Sequence, residues 1–148
     1  MIVRTVLLVT LLFSISTGCS GVQTTPLVTE TVDHGIEIPP MEFVTPDARQ
    51  VWKGKLGKSR AIYFKLKKQN RVDDIVVLIQ DRLPEYFKRI EYLDRGGDKA
   101  LDYVKMKIYE KGSGWRDVTI TSEHEYSLGF ANKEYNEILK EIKGVRKR

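Results

Sequence analysis

At 148 residues the chain has room for one ordinary domain and not for two. Its 25 Lys and Arg against 20 Asp and Glu make it mildly basic and highly charged. A single cysteine excludes an intramolecular disulfide framework, so the core has to hold without one.

The chain opens Met-Ile-Val-Arg, runs apolar over residues 6–15 and ends that run with Ser16-Thr17-Gly18-Cys19. A short positive start, about ten apolar residues and a small-residue exit form the pattern of a secretory signal peptide. The run is too short for a bilayer core, which takes roughly 20 helical residues. With cysteine at the cut site, the stretch resembles the lipobox of bacterial lipoproteins. Thr17 and Gly18 stand in their usual places there, and Ser16 stands where leucine is commonest. The resemblance implies cleavage between Gly18 and Cys19, a diacylglyceryl thioether on the Cys19 sulfur, and often a third acyl chain on its freed amine. Two or more chains anchor stably where one binds only marginally. Ser20 in place of Asp implies, in a Gram-negative host, the outer membrane facing the periplasm. Removing residues 1–18 takes away Arg4 and leaves 24 basic against 20 acidic residues, a net of +4. A tethered, exported chain of this charge meets anionic lipid head groups or polymers, and nucleic acid is not expected as a partner.

Residues 19–47 read as a tether. Thr24, Thr25, Thr29, Thr31 and Thr45 alternate with Pro26, Pro39, Pro40 and Pro46, and from residue 20 onward Lys and Arg are absent. Fully extended, this stretch would reach roughly 90 Å. Ile36, Ile38, Met41 and Phe43 are more apolar than a linker needs, which predicts that this part docks on the domain, as an edge strand for example.

The domain is expected over residues 48–148. Residues 50–56 and 60–67 predict a hairpin around Gly57-Lys58, since Ile62, Phe64 and Leu66 alternate with Tyr63, Lys65 and Lys67. Val72, Val76, Ile79, Leu83, Tyr86, Ile90 and Leu93 then recur at spacings of four and three, which predicts a long amphipathic helix. Asn70 with Asp73 would form its capping box, Pro84 would kink it and Gly96-Gly97 would stop it. The competing reading takes residues 75–79, Ile-Val-Val-Leu-Ile, as a buried strand. Val104, Met106 and Ile108 alternate with Lys105, Lys107 and Tyr109, and a turn at residues 111–114 leads to a returning strand over residues 115–121. Tyr126, Leu128 and Phe130 make one more alternating run, and Asn132 would cap a final helix striped by Tyr135, Ile138, Leu139, Ile142 and Val145. The expected class is α+β: an antiparallel sheet of about five strands with two helices packed on one face.

Motifs with chemistry are few. Gly57-Lys58-Ser59 ends like a phosphate-binding loop, but Trp52 stands where that motif needs glycine, and a basic turn explains it. Glu123-His124-Glu125 holds the only histidine of the expected domain, and a metal site would need further ligands, so no metal and no cofactor are expected. Asp73 and Asp74 are adjacent, whereas paired catalytic carboxylates face each other across a cleft. No G-x-S-x-G nucleophile motif occurs, and no catalytic residue is assigned. Lys53, Lys55, Lys65, Lys67, Lys105 and Lys107 occupy alternating strand positions, and would form one basic binding face if their strands were neighbours.

The expected role is a lipid-anchored, non-enzymatic accessory or binding protein of a bacterial envelope assembly, such as a secretion, conjugation or outer-membrane complex. Its partners would be the membrane through Cys19, an envelope protein complex, and anionic polymer or lipid head groups. One alternative is an inhibitor or immunity-type lipoprotein binding a single toxin or hydrolase. Another is an enzyme or ligand binder acting on cell-wall or lipid material.

Overall fold

An unbroken run of branched apolar side chains is stable in a strand only where both faces of the sheet are covered. Residues 75–79 meet that condition: in the computed structural model, which describes residues 35–145, they lie in the middle of a six-stranded antiparallel sheet. The strands are β1 (Arg49–Leu56), β2 (Ser59–Lys67), β3 (Val72–Arg82), β4 (Tyr86–Asp94), β5 (Tyr103–Glu110) and β6 (Gly114–Ile120). They lie side by side in chain order, so every connection is a hairpin. One helix, α1 (Glu125–Val145), follows the sheet.

The predicted helix over residues 72–93 is therefore two paired strands. Its stripe is divided by the pleat: Val76 and Ile90 face α1, while Ile79 and Leu93 face the opposite side. Pro84 sits in the β3–β4 turn, where the Leu83–Pro84 bond is cis, and a turn is where a residue without an N–H is tolerated. Asn70 lies in the β2–β3 turn, closed by the Lys68 N–H donating to the Arg71 carbonyl at 2.9 Å, and Asp73 is the second residue of β3. The result is α+β, with six strands and one helix in place of about five and two.

The second correction concerns α1. The run Tyr126, Leu128, Phe130, expected as a strand, forms its first turns, and Asn132 lies inside it. The Asn132 side-chain oxygen accepts from the Leu101 N–H at 2.9 Å, so it fastens the β4–β5 connection to the helix rather than capping it. Ala131, Tyr135, Ile138, Leu139 and Ile142 form the buried stripe, packed on Tyr63, Val76, Tyr92 and Val104. Val145, expected on that stripe, is 55% exposed.

The other face is covered by irregular chain. Ile38, Met41, Phe43, Val44 and Ala48 pack on Ile62, Phe64, Ile75, Val77, Ile79, Phe87 and Leu93. The docking expected of this stretch is present, but as a strap across the sheet and not as an edge strand. The expected signal segment 1–18, Cys19 and the rest of the expected tether to residue 34 lie outside the described residues, as do Arg146, Lys147 and Arg148.

A bulge between Gln50 and Trp52 sets which side chains of β1 face which way. It turns Trp52 towards α1, opposite Tyr63, and Lys53 and Lys55 towards the strap side. The indole then folds across Gly54, where a β-carbon would collide with the ring.

Candidate functional site

The strap is held by two charged side chains buried beneath it. Arg89 and Glu91 stand at alternate positions of β4 on the strap face, 3% and 2% exposed, with Arg89 Nε 2.9 Å from Glu91 Oε1. The guanidinium donates to the carbonyls of Pro39 at 2.6 Å and Pro40 at 2.7 Å. The carboxylate accepts from the N–H groups of Glu42 at 2.9 Å and Phe43 at 3.0 Å. Irregular chain has no ladder to satisfy its backbone groups, and this pair supplies the missing donors and acceptors. Burial pushes the Glu91 carboxyl above the usual carboxylate range, against the opposing pull of the Phe43 N–H and Arg89. At the strap's edge Glu42 pairs with Lys105, which holds its carboxyl below the usual range, and lies 3.5 Å from Lys107.

A second group of buried acids organises the β4–β5 connection. Asp94, fully buried, accepts from the N–H groups of Asp98 at 3.1 Å and Lys99 at 2.9 Å and from the Tyr135 hydroxyl at 3.1 Å. Burial raises its carboxyl above the ordinary value, and the Lys99 N–H and Tyr135 oppose that. Asp73 accepts from the Gly96 N–H at 3.0 Å and from Arg71 Nε at 2.7 Å, and Asp74 from Lys65 Nζ at 2.7 Å. Gly96 and Gly97 have φ of 91° and 66°, so they turn the chain back over these carboxylates. Asp73 and Asp74 are thus neither a helix cap nor a facing pair, and they point to opposite sides of β3. Each buried carboxylate directs its acceptor capacity to the chain's own donors.

The six lysines of the expected basic face are not on one surface. Strands β3 and β4 separate β2 from β5. Lys65 and Lys67 project on the α1 side, in register with Asp74 and Val72, whereas Lys53, Lys55, Lys105 and Lys107 project on the strap side. Lys65, Lys105 and Lys107 are engaged by Asp74, Glu42 and Asp117. Lys53, Lys55 and Lys67 are exposed and make no ion pair among the described residues.

The places of two features were not legible in the sequence. Arg89 and Glu91 alternate with Ile90 and Tyr92 as a wet strand face would, and only the apolar residues of the strap hinted that the face is covered. Tyr126 and Phe130 are 79% and 61% exposed and lie edge to face at 4.8 Å on the outer side of α1. His124 occupies the turn before α1, with its ring Nδ1 3.5 Å from the Thr121 hydroxyl. Among the described residues no group of three or more His, Cys, Asp or Glu converges as a metal site, and no helix is long and apolar enough to cross a membrane. Protein-family models, curated proteins and solved structures give no significant match to this chain.

Proposed function

We propose that this protein is a lipid-anchored, non-enzymatic accessory or binding protein of a bacterial envelope assembly, held to the membrane through Cys19. The observation that carries this reading is the clamped strap. The chain between the proposed anchor and the domain ends in a segment fixed to the sheet by Arg89 and Glu91. A domain fixed to the end of its tether presents chosen faces to its surroundings, which suits a subunit that positions or contacts other proteins. The exposed Tyr126–Phe130 pair adds to this, because aromatic side chains are over-represented at protein contacts.

The test is affinity purification of the full-length lipidated protein from gently crosslinked native membranes, with Cys19→Ser as control. Several stoichiometric envelope proteins, lost with Cys19→Ser, are the expected result. A single hydrolase or toxin retained without the anchor would replace this reading with that of an inhibitor.

A further inference from the structure

Four lysines without an ion pair among the described residues gather where β1 meets α1. The last turns of α1 lie against the end of β1, where Lys55, Leu56 and Gly57 line an open depression together with Glu141, Gly144 and Val145. Lys58 follows Gly57 in the β1–β2 turn, Lys53 precedes Lys55 on the same face, and Lys143 precedes Gly144. Lys53, Lys55, Lys58 and Lys143 are all exposed, and none makes an ion pair among the described residues. In sequence, Arg146-Lys147-Arg148 follows Val145 directly. One carboxylate, Glu141, lines the depression. At the opposite end of the sheet the exposed charges are mixed: Lys67, Lys68, Arg71, Arg95 and Lys99 accompany Asp98, while Asp73, Asp74 and Asp94 are buried. The corner where β1 meets the last turns of α1 is therefore basic. This corner also carries apolar surface, in the exposed Val145 and the half-buried Leu56.

We propose that this corner docks on a bilayer of anionic phospholipid, with Lys55, Lys58 and Lys143 among the head groups. The proposal builds on the reading of Cys19 as the anchor, which keeps a bilayer within reach. Clustered Lys and Arg beside a membrane are drawn to anionic leaflets, and the attraction falls off within a Debye length, so it acts on a domain already held close. The orientation follows from where the lysines without an ion pair gather, at the corner between β1 and α1. Val145 and Leu56 supply side chains that enter the head-group layer once the lysines have brought the corner down.

The test uses the full-length protein in phosphatidylcholine vesicles with or without about 30 mol% phosphatidylglycerol. Amine-reactive footprinting is read by mass spectrometry. On the anionic vesicles Lys55, Lys58 and Lys143 are expected to react at least about threefold more slowly than on neutral ones, with Lys99 and Lys133 unchanged, and about 0.5 M NaCl should remove the difference. Equal rates on both vesicles, in protein that floats with them, would overturn the docking and leave the anchor standing. An intact mass without acyl groups on Cys19 would overturn the anchor instead. The same footprint on Cys19→Ser protein with excess anionic vesicles then decides the docking alone: protection of the three lysines upholds it, and equal reactivity sinks it.

Discussion

Arg89 and Glu91 bind the strap in the order in which the strap passes over them: two successive carbonyls, of residues 39 and 40, reach the guanidinium, and two successive N–H groups, of residues 42 and 43, reach the carboxylate. The pair thus performs for irregular chain what a neighbouring strand performs in a ladder. Removing one partner leaves an uncompensated buried charge, so Arg89→Met is expected to cost about 3–5 kcal/mol. Arg89→Met/Glu91→Met should cost less than the sum of the two single changes, with a coupling of about 1–3 kcal/mol, read from urea unfolding. Additive costs would show that the two side chains act separately.

The carboxyls near the strap and the β4–β5 connection give the stability a definite pH dependence. Glu91 and Asp94 are raised by burial, so the folded state binds more protons than the unfolded one above their ordinary pKa of about 4. Their ionisation costs stability at neutral pH, and that cost is relieved as pH falls through the raised values. Glu42 is lowered by its hydrogen bond to Lys105, so its contribution is present above its ordinary pKa of about 4.3 and is lost as pH falls through the lowered one. The urea midpoint should therefore be higher near about pH 5 than at about pH 7. Glu42→Gln should lie below wild type by up to about 1 kcal/mol at neutral pH and meet it below about pH 4. A gap that persists at acid pH would remove the ion pair from the explanation.

Tyr135→Phe keeps the packing of α1 on Tyr92, whose ring centroid lies 6.1 Å away, and deletes one of three donors to buried Asp94. The expected loss is about 1–2 kcal/mol. Amide exchange at Asp98 and Lys99 should quicken, because the carboxylate that holds them loses its fixed partner on the helix. Unchanged exchange there would mean that Tyr135 only packs.

Gly54→Ala puts a methyl group into the Trp52 indole on the face of β1 that packs against α1. Overpacking of this kind costs about 1–3 kcal/mol. Near-ultraviolet circular dichroism should lose tryptophan intensity as the ring is displaced, and Trp52→Leu/Gly54→Ala should recover part of the stability.

Period-two alternation made the outer hairpins legible. In β2 and β5 one face is more apolar than the other, and Gly57-Lys58 and residues 111–114 are the turns the sequence pointed to, although β6 already begins at Gly114. The centre was not legible for a physical reason. With α1 on one side and the strap on the other, β3 and β4 bury side chains on both faces, and a two-sided pattern contains a helical stripe by chance. Continuity of branched residues at 75–79 was the better signal, because it requires no one-sided burial. Tyr126 and Phe130 misled for the opposite reason: an exposed aromatic pair four residues apart in a helix adds apolar letters where no burial follows. The clamp was hidden because a charge on a strand reads as wet unless the chain that covers it is known. The lysine positions alternated as expected, but which of two faces they occupy depends on the strand order and on the β1 bulge, neither of which one sequence states.

The clamped strap also changes a length. Residues 35–47 belong to the tether by composition but to the domain by contact, so only residues 20–34 remain between the proposed acylated cysteine and the first described residue. Across those fifteen residues the chain from Cys19 to Gly35 spans at most about 55 Å, where the whole stretch would span roughly 90 Å. A shorter leash raises the effective concentration at which the domain meets anything on the same membrane and removes from its reach anything standing further out. Loosening Arg89 would lengthen the leash without touching a single residue of it.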